Sequence, residues 1–426
     1  MIRSIFTNFS ARLAVAMMNF IMLLMTTHFL GAETRGIVSI LAIGIGIIHI
    51  VSDLASGPSL VYLTPRTKLR SLIITGSIWA IVTTAIVGYI LIYIGNVPTY
   101  CGPEALIVAV LISLHSLNQN ILLGQQRIKA FNILFFLQGV IQVAALASCI
   151  LIFKQKGVYP YIYSNIVSFT LCYLAGFYLI NKNPPQPTIV EKRPILWVLF
   201  SNGFYTQAAT LFLYLCKLKY PTSLKSILPN GEAGAGIFTT AFALGEAIMI
   251  FAASVSAVVL SKVSNQKNHM DARSSVLQLS KLSFCLTFLA VAFFLALPAG
   301  FYSWLLGKDF NPVKEVFFSI APGILAISFG TVFAHYFSGA GKHYMNFISG
   351  ACALTTTYLT ANYFIHKMGM IGAGYASSAT YIVLSIVIFV AFMLIGGNKK
   401  SDWKELIPSR ENFRSLRNIL KKGQSE

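Results

Sequence analysis

The sequence predicts an all-α polytopic membrane protein of about twelve transmembrane helices, arranged as two six-helix lobes related by a parallel pseudo-two-fold axis. Three observations carry that expectation. The 426 residues are 56% apolar and only 11% charged, with a mean hydropathy of +0.71, whereas a soluble domain carries roughly a quarter charged residues. The apolar residues fall in continuous runs, not in the short alternating segments of a β-barrel. Finally, short motifs in the first half recur in the second at similar offsets. Disorder is excluded by the hydrophobicity, and no stretch between the runs is long enough to fold a soluble domain.

The runs are about 20 to 28 residues long, enough to cross some 30 Å of hydrocarbon with tilt. They cover 8–30, 36–63, 71–95, 104–126, 130–153, 158–181, 195–220, 233–261, 276–300, 313–338, 345–366 and 371–396. Arg3 and Arg12 before the first run suggest a signal peptide, but no small-residue cleavage site follows it, so an uncleaved span is expected. The expected division is an N-terminal lobe over 1–181, a linker over 182–194, a C-terminal lobe over 195–396 and a basic tail over 397–426. That tail mixes Lys and Arg with Trp403, Leu406 and Phe413. An amphipathic helix on the anionic inner leaflet and simple topogenic charge both fit it.

The charge of +19 comes from 32 Lys+Arg against 13 Asp+Glu. In a soluble chain that excess would point to nucleic acid. Here, with the N-terminus inside, 23 of the 32 basic residues fall on the cytoplasmic side and nine opposite. The positive-inside rule therefore accounts for the bias, predicts cytoplasmic termini and removes the need for nucleic acid. The six cysteines show neither metal spacing nor a disulfide framework.

Gly124-Gln-Gln-Arg127 to Asn132-Ile133 follows the fourth span, and Gly339-Ala-Gly-Lys342 to Asn346 follows the tenth. Likewise Glu33-Thr-Arg-Gly36-Ile37 opens the second span and Glu232-Ala-Gly-Ala-Gly236-Ile237 the eighth. The offsets are 215 and 200, and a longer loop after the eighth span absorbs most of the difference. Six spans per repeat leave both halves in the same orientation, as in transporters with a cavity between two bundles.

Leu30-Gly31-Ala32-Glu33-Thr34-Arg35-Gly36-Ile37 resembles the signature of Wzx-type polysaccharide flippases, in the superfamily that holds the MATE exporters and the lipid II flippase MurJ. Similar pieces are Leu306 to Phe310, Ala321-Pro322-Gly323, Ser338 to Lys342 and Gly369 to Ala376. The resemblance spans nearly the whole chain. It implies a MATE-like fold, alternating access and an undecaprenyl-diphosphate-linked oligosaccharide as cargo in the bacterial cytoplasmic membrane. It also implies a glycan polymerase and a chain-length regulator as partners beside the membrane lipids, with no enzymatic activity.

The residues themselves supply candidates. Arg12, Asn19 and Thr26 share a face of the first span, and Gln207, Thr210, Tyr214 and Lys217 share a face of the seventh. These spans are repeat-equivalent, and a cationic cleft between them suits a diphosphate, which arginine grips with two hydrogen bonds. Snorkelling to the headgroups is the alternative for Arg12 and Lys217, and plain inside charge for Arg127. Asp53 lies four residues after His49, so the pair can share a face and a proton, and Glu246 falls in the middle of the eighth span. H+ or Na+ coupling would use such carboxylates; an interhelical hydrogen bond or ion pair is the alternative. His115, Asn118, Gln119, Gln138 and Gln142 add polar groups in spans four and five, and Gly44, Gly46, Gly203 and Gly245 suit close helix approach. No cofactor is expected. The membrane potential favours outward movement of two negative charges by up to about 4.6 kcal/mol per 100 mV. Gly341-Lys342-His343 lacks the rest of a phosphate-binding loop. Two other functions stay open: a proton- or sodium-coupled drug or cation antiporter on the same fold, and a membrane glycan polymerase or ligase. The longest outer loop expected, Pro221 to Glu232, carries no catalytic constellation.

Overall fold

A computed structural model of the chain describes residues 2–56, 59–182, 195–264 and 273–395, with the backbone alone over 2–15 and at 55–56, 59, 62, 195–196, 198–199, 201–202, 261–262 and 264. The described residues are helical and contain no strand. In chain order the α-helices are α1 (Ile2–Ser56), α2 (Ser59–Leu63), α3 (Leu69–Tyr93), α4 (Gly102–Gly124), α5 (Ile128–Ala147), α6 (Tyr159–Lys182), α7 (Ile195–Ile227), α8 (Gly231–Ile248), α9 (Ile250–Ser264), α10 (Arg273–Ala296), α11 (Ala299–Leu306), α12 (Val313–Gly339) and α13 (Tyr344–Leu394). Among the described residues, eight helices are long and apolar enough to cross a membrane, or nine if α8 and α9, bent by 43° at their junction, count as one broken span. Two are of double length. Gly31 (φ 78°) breaks α1 and Gly369 (φ 57°) breaks α13, so each supplies two of the expected spans. We call the halves α1a and α1b, and α13a and α13b.

The eighth span is bent at the α8–α9 junction. The outer loop expected from Pro221 is largely absent, because α7 runs through Pro221 to Ile227; the Lys225–Glu232 ion pair (2.8 Å) spans the short connection to α8. The expected linker and the basic tail lie outside the described residues.

The outward faces explain why these helices belong in lipid. Ile74, Ile78, Ile81 and Ile90 on α3, and Phe284, Phe288 and Phe293 on α10, are all exposed. Ridges of that kind would be insoluble in water. This is a multi-pass membrane protein.

Close packing groups the helices in two compact units. One contains Ala14–Thr240 with Tyr302–Pro312, the other Met1–Leu13, Ala241–Phe301 and Val313–Glu426. In the first, Val38, Leu41, Ile45 and Ile48 of α1b pack with Val108 of α4 and Ile162 of α6. A Ser52–Thr83 hydrogen bond (2.6 Å) ties α1b to α3. In the second, Val332, Phe333 and Phe337 of α12 meet Ile388 and Phe392 of α13b and Val259 of α9. Small residues let α12 and α13b touch. A Cβ on Gly374 would collide with the Ser319 hydroxyl, and one on Gly323 would sit 2.6 Å from the Ser378 Cα. At Pro322, inside α12, the ladder is supplemented laterally: the Gly323 N–H donates to Ser378 Oγ (3.1 Å), which donates to the Ser319 carbonyl (2.7 Å). Buried Arg273 opens α10 by donating to the Phe392 carbonyl (2.9 Å), with its guanidinium 4.0 Å from that ring's centroid.

The duplication is visible in backbone geometry. After α4, Gln126 N–H bonds to Leu123 O and Arg127 N–H to Leu122 O; after α12, Gly341 N–H bonds to Ser338 O and Lys342 N–H to Phe337 O. Every pair of equivalents is separated by 215 residues. Gln126 and Gly341 are both left-handed, as are Lys154 and Gly369 at the same offset. A left-handed backbone is unusual for residues other than glycine, so these matches mark equivalent helix endings.

Candidate translocation site

Two polar clusters lie within the unit formed by Ala14–Thr240 and Tyr302–Pro312. The first is centred on Arg35. Gly31 ends α1a in the left-handed region, and α1b starts at once, with the Ala32 N–H donating to Asp309 Oδ2 at 3.4 Å. A carboxylate there is favoured by the unsatisfied N–H groups and the positive end of the helix dipole. Asp309 is delivered by a 3-10 turn, Lys308–Phe310, entered through left-handed Gly307. Two motifs far apart in the chain thus meet, and they fix the first turn of α1b that carries Arg35.

Arg35 is partly buried, and its Nε is fully buried without a hydrogen-bond partner among the described residues. No carboxylate among the described residues pairs with it. Its charge interacts with Tyr161 of α6, which also feels Tyr214 of α7. A line of amides joins Tyr161 of α6 to α5: Asn165 donates to the Tyr161 carbonyl (2.7 Å), Gln142 to Asn165 Oδ1 (2.9 Å), and Gln138 to Gln142 Oε1 (2.8 Å). Lys217 Nζ lies 5.1 Å from the Tyr214 ring centroid. That ring packs on Gly46, where a Cβ would come within 2.6 Å of it. The seam therefore combines two cations, two tyrosines and three amides. A partly buried guanidinium such as Arg35, with no carboxylate paired to it among the described residues, is complementary to an anion, and the amides suit a hydroxyl-rich ligand.

The second cluster joins α1b and α4. His49 Nε2 lies 3.6 Å from Asp53 Oδ2, both side chains being partly exposed. Ser116 donates to Asp53 Oδ1 (3.1 Å) and Asn120 to Ser116 Oγ (3.2 Å). Buried His115 stands beside them against Phe169. The pair expected from the four-residue spacing is thus formed, with hydroxyl and amide support from α4. Among the described residues no group of His, Cys, Asp and Glu could hold a metal ion.

The remaining candidates are placed as follows. The Arg12 side chain lies outside the described residues. Asn19 is exposed, and Thr26 on its face is buried with its hydroxyl turned to the Met22 and Leu23 carbonyls of its own helix. Gln207 is buried, and Thr210 bonds back to the Thr206 carbonyl. Arg127 donates to the Leu179 carbonyl at the end of α6 and to Gln125 Oε1, so it ties two helix ends together. Glu246 is exposed and belongs to the other unit. Tyr214 and Lys217 come together; Arg35, which falls between the first two apolar runs, was not among the candidates. The clue to it was local: a base one turn after Gly31, inside the duplicated Glu33–Gly36 motif.

No family model matches the chain, and no curated protein matches its sequence. Solved structures do resemble it. An inward-facing multidrug resistance MATE family transporter of the MOP superfamily superposes with a TM-score of 0.69 at 15% identity, covering 90% of this chain and 97% of that one. The lipid II flippase MurJ in an inward closed conformation gives 0.70 at 15% identity, covering 94% and 90%. The eukaryotic MATE transporter AtDTX14 gives 0.57 at 15% identity, covering 93% and 90%. The chain has the fold shared by MATE transporters and MurJ.

Proposed function

We propose that this protein is an exporter that carries an undecaprenyl-diphosphate-linked oligosaccharide from the inner to the outer leaflet by alternating access. The observation that supports this most is Arg35, a guanidinium held in the membrane domain beside Tyr161 with no carboxylate partner among the described residues. A diphosphate would provide the missing counter-charge through charge-assisted hydrogen bonds, Lys217 would add a second cation, and the amides and tyrosines would meet sugar hydroxyls. The membrane potential drives such an anion outward without ATP. Deletion in the native host, followed by analysis of lipid-linked sugars, tests the reading: complete undecaprenyl-linked units should accumulate on the inner leaflet.

The His49–Asp53 pair favours a second reading, an ion-coupled exporter of organic cations on the same fold. An intramembrane carboxylate beside a titratable imidazole is suited to proton exchange. The same deletion separates the two: altered drug susceptibility with normal lipid-linked sugars would support the antiporter.

A further inference from the structure

The two halves of the chain differ in chemistry at one set of equivalent positions. α5 and α13a correspond at an offset of 215, fixed by the matching turns before them and the left-handed residues after them. α6 and α13b correspond at 212, because the eight buried positions of α6, from Pro160 to Ile180, all fall on buried positions of α13b, from Gly372 to Phe392. The longer connection between Lys154 and α6 takes up the three-residue difference. On these offsets Gln138, Gln142, Asn165 and Tyr161 fall on Ala353, Thr357, Ser377 and Ala373.

In the second half a buried hydroxyl pair joins the two helices, Thr357 Oγ1 lying 2.9 Å from Thr380 Oγ1. Ser377 bonds back to the Gly374 carbonyl (2.8 Å). Pairing at this level therefore needs no amide. The same short contact was open to the first half, which holds buried Ser168 at the position of Thr380. It carries two glutamines instead, and a glutamine loses more rotamer freedom on ordering than a threonine or an alanine. Helix pairing does not account for them.

Their unused hydrogen-bonding capacity does. A primary amide offers two N–H donors and a carbonyl oxygen. Gln142 donates one N–H to Asn165 and accepts one from Gln138. Both glutamines are partly exposed, each keeps a second N–H, and Gln138 Oε1 accepts nothing among the described residues. These groups are held in place by their neighbours, so a ligand meets them already ordered. The line is uncharged, and its other end is Tyr161, against the Arg35 charge.

We infer that Gln138 and Gln142 are specificity-determining residues for the sugar next to the diphosphate, and that this sugar is uncharged. This rests on the glycan-exporter reading above. Sugar hydroxyls take the spare N–H groups and Gln138 Oε1 while the diphosphate stays with Arg35. A charged sugar would set its charge against amides that offer no counter-charge.

The test measures binding to the full-length protein in lipid nanodiscs. The probes are undecaprenyl diphosphate bearing an oligosaccharide whose first sugar is neutral, the same lipid with a hexuronic acid first, and the sugar-free lipid. The wild-type chain should bind the first about tenfold more tightly than the third, the order that two or three net hydrogen bonds supply, and the second no better than the third. Gln138→Ala with Gln142→Thr writes the second half's residues into the first and leaves Ser168 as the threonine's partner. It should bind all three alike, at the wild-type affinity for sugar-free lipid and with an unchanged unfolding midpoint. Should the double variant unfold, Gln138→Ala alone, which leaves the Gln142–Asn165 bond in place, should reduce the preference severalfold. A folded variant with the full preference, a wild type with none, or a wild type that favours the hexuronic acid overturns the inference and leaves the exporter reading standing. A wild-type chain that binds none of the lipids overturns both.

Discussion

Asp309 accepts a hydrogen bond from the backbone N–H of Ala32, 277 residues away in the chain, at 3.4 Å. The contact caps α1b immediately after the Gly31 break and so sets the turn on which Arg35 sits. Asp309→Ala should cost about 0.5–2 kcal/mol, the range for loss of an N-cap. Thermal unfolding of the purified protein should show a lower midpoint. Asp309→Asn, which keeps an acceptor, should recover most of the loss.

Arg35 should be more sensitive to charge and shape than to volume. Arg35→Gln should reduce export of lipid-linked glycan in cells by about tenfold or more, as expected for loss of a charge-assisted contact of about 1.5–3 kcal/mol. Arg35→Lys should retain part of the activity, since lysine keeps the charge but not the planar fork. Immunoblotting of membranes must show equal protein. Full export by Arg35→Gln would remove this residue from the site.

Asp53→Asn separates the two functional readings. The substitution keeps the shape and an acceptor for Ser116 while removing the charge opposite His49. For the exporter of anionic lipid-linked glycans, the host's susceptibility to cationic drugs should not change. A clear rise in susceptibility with normal glycan would place the carboxylate in a drug-coupling role.

The α12–α13b contact should tolerate no added methyl. Gly374→Ala forces a Cβ against the Ser319 hydroxyl and should destabilise by about 1–3 kcal/mol, the usual cost of overpacking. Adding Ser319→Gly should restore most of the unfolding midpoint, because the two positions share one space.

Much of this architecture was legible because lipid imposes long apolar runs. All twelve expected spans fall on helices, although Gly31 and Gly369 join neighbours into double-length elements. The repeat was legible from Gly36/Gly236 and Gly124/Gly339, whose reasons are now physical: close backbone approach at the first pair and equivalent helix endings at the second. The His49–Asp53 pairing followed from helical spacing. What periodicity could not reveal was the packing of short motifs far apart in the chain. Arg35 follows a glycine and precedes an apolar run, so hydropathy alone makes it a loop residue; only the Asp309 cap makes it the first turn of a helix. Arg127 has the opposite history. The sequence leaves it between ligand binding and simple inside charge; that its guanidinium donates to the Leu179 carbonyl near the end of α6 is a tertiary contact that spacing could not show. The bend between α8 and α9 also left no mark in composition, since both halves are equally apolar.

The central claim is that this chain moves an anionic lipid-linked glycan and that Arg35 meets its diphosphate. The most direct test reconstitutes the purified full-length protein in proteoliposomes containing an undecaprenyl-diphosphate-linked oligosaccharide and follows the glycan's accessibility to an external lectin. The wild-type chain should equilibrate the glycan between leaflets far faster than protein-free vesicles, and Arg35→Gln should approach the protein-free rate. A wild-type rate equal to that of empty vesicles, or equal rates for wild type and Arg35→Gln, would contradict it.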